Sequence, residues 1–185
     1  DILGVETPFV SLTAYADNAV INIAIMLLII IGGLGFLTWE DVKKHGIHVK
    51  RYRTQSKIIL VTTALLIIVP AAYFFFFEFA GEPFGKRLLV SLFQAVTPRT
   101  AGFNSVAASE TSDAAHVLEI ILMLIGGSPG STAGGLKTTT FAILLLASLS
   151  VFRKRDDTCV FKRRISDKTV KTACAVAFMY IALFI

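Results

Sequence analysis

Apolar residues in this chain come in long runs separated by short polar linkers. Asn18 to Trp39 is almost wholly apolar and ends in Gly32-Gly33-Leu34-Gly35, with Trp39 placed as an interfacial aromatic. Its length is close to the ~20 residues that a membrane-spanning helix needs. A second run extends from Ile58 to Phe79 with Pro70 inside it; proline is tolerated in such helices because neighbours satisfy the freed carbonyl. After a break at Gly81 to Pro83, Phe84 to Ala95 forms a short segment that at ~1.5 Å per residue crosses about half a bilayer. Ala114 to Phe152 is largely apolar again. As one straight helix it would exceed ~50 Å, against a hydrocarbon core of ~30 Å, so an interruption is required. Gly126-Gly-Ser-Pro-Gly-Ser-Thr-Ala-Gly-Gly135 predicts where it falls. A last span starts near Lys168, and Asp1 to Asp17 reads as a loop.

Composition agrees with a membrane protein. Hydrophobic residues make up 55% of the chain and charged residues only 17%, below the ~25% usual in soluble domains. Mean hydropathy is +0.71. The net charge of +5 does not point to nucleic acid, because the basic residues fall in two linkers between hydrophobic runs. The first holds Lys43, Lys44, Lys50, Arg51, Arg53 and Lys57, the second Arg153, Lys154, Arg155, Lys162, Arg163 and Arg164. That is the cytoplasmic-loop pattern of the positive-inside rule. Glu78, Glu82, Glu110 and Asp113 lie on the opposite side in this reading. Cys159 and Cys174 have no disulfide or metal spacing, nor do His45, His48 and His116.

Thr97-Pro-Arg-Thr-Ala-Gly-Phe-Asn104 follows the short segment and reads as a re-entrant pore loop. Non-helical backbone at membrane depth is tolerated where it is buried in protein or lines a water-filled path. In such a path its carbonyls serve as ligands for a dehydrated cation. Gly102, lacking a Cβ, can take positive φ and aim its carbonyl where other residues cannot. The C-terminal end of the preceding helix presents partial negative charge, which favours a cation. An external turn is the plain alternative, since Thr, Pro, Gly and Asn are all turn residues. Lys86 and Arg87 near the helix start are expected to reach outward to headgroups. Arg99 is expected to be tied to carbonyls or to an acid, with Glu119 a candidate partner.

The Gly-rich interruption is not a phosphate loop. Gly130 and Gly135 have the right spacing, but Leu136 stands before Lys137, where that motif requires lysine directly after glycine. It reads instead as a flexible break in a pore-lining helix. Its small residues would lie in the ion path, and Ser128, Ser131, Thr132 and Thr138 offer hydroxyls. Lys137 would hold the break against carbonyls or repel cations. A hinge or close-packing site is the plain alternative.

Thr97-Pro-Arg-Thr-Ala-Gly-Phe-Asn-Ser105, followed by Gly126-Gly-Ser-Pro-Gly-Ser-Thr-Ala-Gly-Gly-Leu-Lys-Thr-Thr-Thr-Phe141, closely resembles the Trk/Ktr/HKT superfamily of potassium transporters, and within it the KtrB-type membrane subunit. The resemblance covers the whole chain. It implies an all-α integral membrane fold of helix–pore-loop–helix repeats, K+-channel-like and pseudo-fourfold in the complete protein. Residues 1–39 would end a second repeat and 40–57 form a basic cytoplasmic linker. Residues 58–152 would be a complete third repeat, 153–167 a second basic linker, and 168–185 the start of a fourth repeat. The first, second and fourth filters are missing, so the isolated chain is not expected to conduct.

Function follows from the same resemblance. It implies potassium uptake across the plasma membrane, with Thr100, Ala101, Gly102 and Phe103 in the filter. The intramembrane gate would comprise Gly126, Gly127, Ser128, Pro129, Gly130, Ser131, Thr132, Ala133, Gly134 and Gly135, with Lys137 at its end. Implied partners are membrane lipids, a second copy in a homodimer, and a cytoplasmic ring of nucleotide-binding regulatory subunits of the RCK type. Nucleic acid is not among them. K+ is the transported ion and Na+ a candidate activator; no cofactor, no metal beyond K+ at the filter carbonyls, and no enzymatic activity is expected of this chain. A cation-coupled secondary transporter with a broken-helix binding site is the alternative.

Overall fold

Once water is excluded, a run of Ile, Leu, Val and Ala can satisfy its backbone groups by closing helical hydrogen bonds internally. The computed structural model describes residues 11–99, 101–106, 111–154, 157–161 and 163–184. Its helices are α1 (Ala19–Gly33), α2 (Phe36–His45), α3 (Thr54–Tyr73), α4 (Phe84–Val96), α5 (Asp113–Leu124), α6 (Thr138–Phe152) and α7 (Asp167–Phe184). Pro70 sits inside α3 without stopping it, and the helix runs on through a π-helical turn, Phe74–Glu78. Together they make a 25-residue apolar helix, long enough to cross a membrane. The long third run is interrupted between α5 and α6, where the length argument requires it.

Two features depart from expectation. The Asn18–Trp39 run is not one helix, because α1 stops at Gly33 and α2 starts at Phe36. Gly35, between them, has φ of +79°, which only glycine takes readily. The second basic linker also contains a short antiparallel ladder, β1 (Cys159–Val160) with β2 (Arg163–Arg164), Val160 opposite Arg163.

The chain forms two compact units, one of residues up to Gly32 with Leu65–Met123, the other of Gly33–Ala64 with Leu124 onward. In the first, the C-terminal half of α4 is sunk into the protein, with Val90, Ser91, Phe93, Gln94, Ala95 and Val96 all buried. Phe93 and Val96 pack with Met26 of α1, flanked by Ile29 and Ile67. On another side, Ala95 meets Ala71, Phe74 and Ala115. Alanine at 71, 95 and 115 lets the helices approach closely, and close packing rather than water exclusion is what holds helices together in lipid. The start of α5 is capped by Ser112, whose hydroxyl accepts from the Ala115 amide at 3.3 Å. Glu78 in turn accepts from the Ser112 amide and hydroxyl, both at 2.7 Å.

In the second unit, the α2–α3 connection is ordered by a buried carboxylate. Asp41 is 1% exposed. Its Oδ2 accepts from the Ser56 hydroxyl at 2.6 Å and the Arg53 amide at 2.9 Å, and Arg53 Nε lies 3.6 Å from Oδ1. The Ser56 hydrogen bond, followed by the Arg53 amide and charge, holds the Asp41 carboxyl below the ordinary aspartate range despite burial. Tyr52 donates its hydroxyl to the Gly46 carbonyl and closes the same turn.

Candidate functional site

The predicted filter loop leaves the buried end of α4. The helix tightens as it ends, with the Thr97 amide bonded to the Phe93 carbonyl at 2.9 Å and the Arg99 amide to the Val96 carbonyl at 3.2 Å. The Ala101 amide then reaches the Thr97 carbonyl at 3.3 Å. Gly102 turns the chain with φ of +74° and is exposed. The buried Thr97 hydroxyl donates to the Phe103 carbonyl across the turn. The exit is fastened to the segment before α1, since Asn104 donates from its amide to Ser11 Oγ at 3.1 Å and accepts from the Leu12 amide at 3.0 Å. Ala101, Gly102 and Phe103 therefore lie together at the negative end of the α4 dipole. Thr100 lies outside the described residues. The Phe103 carbonyl, though bonded to Thr97, keeps a second lone pair.

Two polar side chains at the loop and the end of α4, Arg99 and Gln94, are buried in protein. Arg99 is 4% exposed. Glu119 accepts a hydrogen bond from Gln94 on α4. Lys86 and Arg87, both partly exposed, meet acceptors within the protein. Lys86 is 3.3 Å from Glu82 and 3.7 Å from Asp17. Arg87 donates to the Phe75 carbonyl at 2.6 Å and stacks 4.1 Å over the Phe75 ring.

The Gly-rich interruption is a closed, hydrogen-bonded loop. Its two arms run side by side: the Gly126 amide donates to Leu136 at 3.0 Å, the Leu136 amide to Leu124 at 3.1 Å, and the Gly127 amide to Gly134 at 3.3 Å. A Cβ on Gly126 would lie 2.6 Å from the Gly134 carbonyl carbon and 2.9 Å from the Gly135 Cα. The buried Ser128 and Thr138 hydroxyls meet at 3.1 Å, and the Thr138 amide donates to Gly127 at 3.1 Å. Ser131 donates its amide to Ser128 at 3.1 Å. Lys137 Nζ donates to the Ala133 carbonyl at 2.7 Å, pinning the far arm. Pro129, Gly130 and Thr132 complete the turn, with Gly130 exposed at φ of +71°.

This loop has a partner that sequence reasoning missed. The Ser128 amide donates to the Gly33 carbonyl at 3.0 Å, and the Phe36 amide donates to the Gly130 carbonyl at 3.1 Å. Gly35 faces the same turn, and a Cβ there would lie 2.5 Å from the Pro129 carbonyl oxygen. The break between α1 and α2 is thus what receives the interruption between α5 and α6. The glycine density at 32–35 was the available signal.

Residues 2–185 match the family described as TrkH, cation transport protein. The potassium/sodium uptake protein NtpJ of Enterococcus hirae is 38% identical over 178 residues, covering 94% of this chain and 39% of that protein. Ktr system potassium uptake protein B of Bacillus subtilis is 33% identical over 173 residues, covering 90% of this chain and 39% of its own length. The chain thus spans about two fifths of the length of these relatives. The potassium transporter TrkH of Vibrio parahaemolyticus shares the fold, with a TM-score of 0.71 at 22% identity over 90% of this chain and 37% of that one. A helical chain with a half-length buried helix, a glycine turn behind it and two paired helix breaks, matching along nearly its whole length, belongs to the TrkH family of cation transport proteins, a family of membrane transporters and not of enzymes.

Proposed function

We propose that this chain contributes one filter segment and one gate to a protein that takes up potassium across the plasma membrane. The observation that carries the reading is the turn at Gly102. Its positive φ, set at the end of a buried half-length helix and clamped by Thr97 to Phe103, supports a reading in which the carbonyls of this turn line the ion path. Carbonyls so held replace part of a cation's hydration shell without fixed charge. Thr100, Ala101, Gly102 and Phe103 form this chain's share of the filter, and the remaining ligands come from other repeats of the protein. Residues 126–135 act as the gate, held closed by their own hydrogen bonds and by Lys137. Residues 58–152 form one full repeat, flanked by parts of two others. Both basic linkers face the cytoplasm, where a nucleotide-binding regulatory ring docks on a homodimer; Na+ acts as an activator.

The test is flux of K+ and Na+ through the full-length protein in liposomes, with wild type beside Gly102→Ser. A Cβ at φ of +74° strains the turn and disturbs the carbonyl geometry, so the preference for K+ over Na+ should fall. Unchanged selectivity in a folded variant would remove the loop from the filter.

A further inference from the structure

Between α6 and α7 lies an open groove of about 310 Å³, lined by Thr140, Ile143, Lys168, Thr169, Thr172, Ala173 and Val176. Its volume is at the lower end of ligand pockets, about 300–1,000 Å³. Its chemistry is graded along α7. Lys168 stands at the first turn, the hydroxyl-bearing Thr169 and Thr172 follow, and Ala173 and Val176 complete the wall. From Lys168 to Val176 the helix rises about 12 Å at ~1.5 Å per residue. A cation at one end, hydroxyls in the middle and an apolar wall beyond match the headgroup, glycerol and acyl chain of a phospholipid.

The start of α7 sets the Lys168 end of this groove beside the second basic linker, while Thr140 and Ile143 line it from the first turns of α6. α6 finishes in Val151 and Phe152 and gives way at once to Arg153 and Lys154, all exposed. The β1–β2 ladder is fastened there, with Ser150 Oγ 3.1 Å from Thr158 Oγ1 and the Ile165 amide donating to the Thr158 carbonyl at 2.8 Å. The turn of the ladder carries Phe161, 52% exposed, at a φ of +46° that a bulky residue rarely takes. Charge at this level is positive. Of the acids described here, Asp157 and Asp167 both pair with Arg164, at 2.9 and 3.8 Å. Arg163, Lys168 and Lys171 remain exposed.

We propose that the α6–α7 groove binds an anionic phospholipid, its headgroup at Lys168 and one acyl chain along Ile143, Ala173 and Val176. The basic ladder supplies further positive charge beside the headgroup, and Phe161 enters the interfacial layer, where aromatic rings are favoured. The inference rests on α6 and α7 being membrane helices and is independent of which ion the protein carries.

The experiment is native mass spectrometry of the full-length protein in micelles containing phosphatidylglycerol or phosphatidylcholine. Wild type is compared with Lys168→Gln and Thr172→Leu. Thr172 donates its hydroxyl within its own helix, to the Lys168 carbonyl at 2.9 Å, so leucine fills the groove at the cost of an intrahelical hydrogen bond. Wild type should retain phosphatidylglycerol over phosphatidylcholine. Lys168→Gln should reduce that retention about five-fold, the weight of one lysine near an anionic surface. Thr172→Leu should reduce retention of both lipids. Equal retention of the two lipids by wild type, or no change in either variant, would overturn the proposal. A Thr172→Leu protein that is destabilised while keeping its lipid would show that another helix fills the groove.

Discussion

Gly126→Ala is expected to open the loop between α5 and α6. The new Cβ would press against the Gly134 carbonyl group and the Gly135 Cα, which are backbone atoms and cannot rotate away. The facing arm must move, and the bonds this strains most directly are Gly126 to Leu136 at 3.0 Å and Gly127 to Gly134 at 3.3 Å. Losing these two costs about 1 kcal/mol each, and residual overpacking adds about 1–3 kcal/mol. The sum, about 3–5 kcal/mol, is a large share of a total stability of ~5–15 kcal/mol. Gly134→Ala is the control, because a Cβ there meets nothing within 4 Å; it should change stability by less than about 1 kcal/mol. The assay is unfolding of the full-length protein by denaturant in mixed micelles, read for both variants beside wild type. Equal stability of the two variants would refute the close-packed geometry of the arms.

Three further outcomes follow from the same contacts. Lys137→Met removes a charged hydrogen bond to Ala133 worth about 1.5–3 kcal/mol; liposome flux should rise about ten-fold or more if the closed loop limits conduction, and unchanged flux would separate the loop from gating. Thr97→Val deletes the clamp on the Phe103 carbonyl and should lower K+ over Na+ preference with little change in fold, measured by competitive flux. Asp41→Ala should destabilise the α2–α3 connection by about 2 kcal/mol through loss of bonds to a charged acceptor. Because the folded Asp41 carboxyl is held below its ordinary value of 3.8, its contribution is present above that pH and is lost as pH falls through the lower folded value. Wild-type stability should therefore drop more steeply than that of Asp41→Ala below about pH 4, where aspartate begins to protonate; parallel pH profiles would deny the carboxylate this role.

Much of the architecture was legible because hydropathy and length are governed by the bilayer. Ala114 to Phe152 was too long for one helix, and only one segment in it was rich enough in glycine to break. The half-length segment before Thr97 was visible for the same reason. What escaped was pairing between distant parts of the chain. The run through Gly35 is as apolar as a continuous helix; its glycines allow a break, but the loop carbonyls of Pro129 and Gly130 that meet it could not be read from the sequence. The acceptors that Lys86 and Arg87 find within the protein, Glu82, Asp17 and the Phe75 carbonyl, were not legible either. The clamp from Thr97 to Phe103 depends on a turn geometry that composition does not encode. The β1–β2 ladder is too short for alternation to register.

The most direct test of the filter is to locate the ion. Crystals of the full-length protein soaked in Rb+ or Tl+ would reveal the cation by anomalous scattering. A peak in contact with the carbonyl oxygens of Ala101 and Gly102, at the end of α4, is the result the account predicts. A saturating soak that places the ion elsewhere, or leaves those carbonyls without a peak, would contradict it.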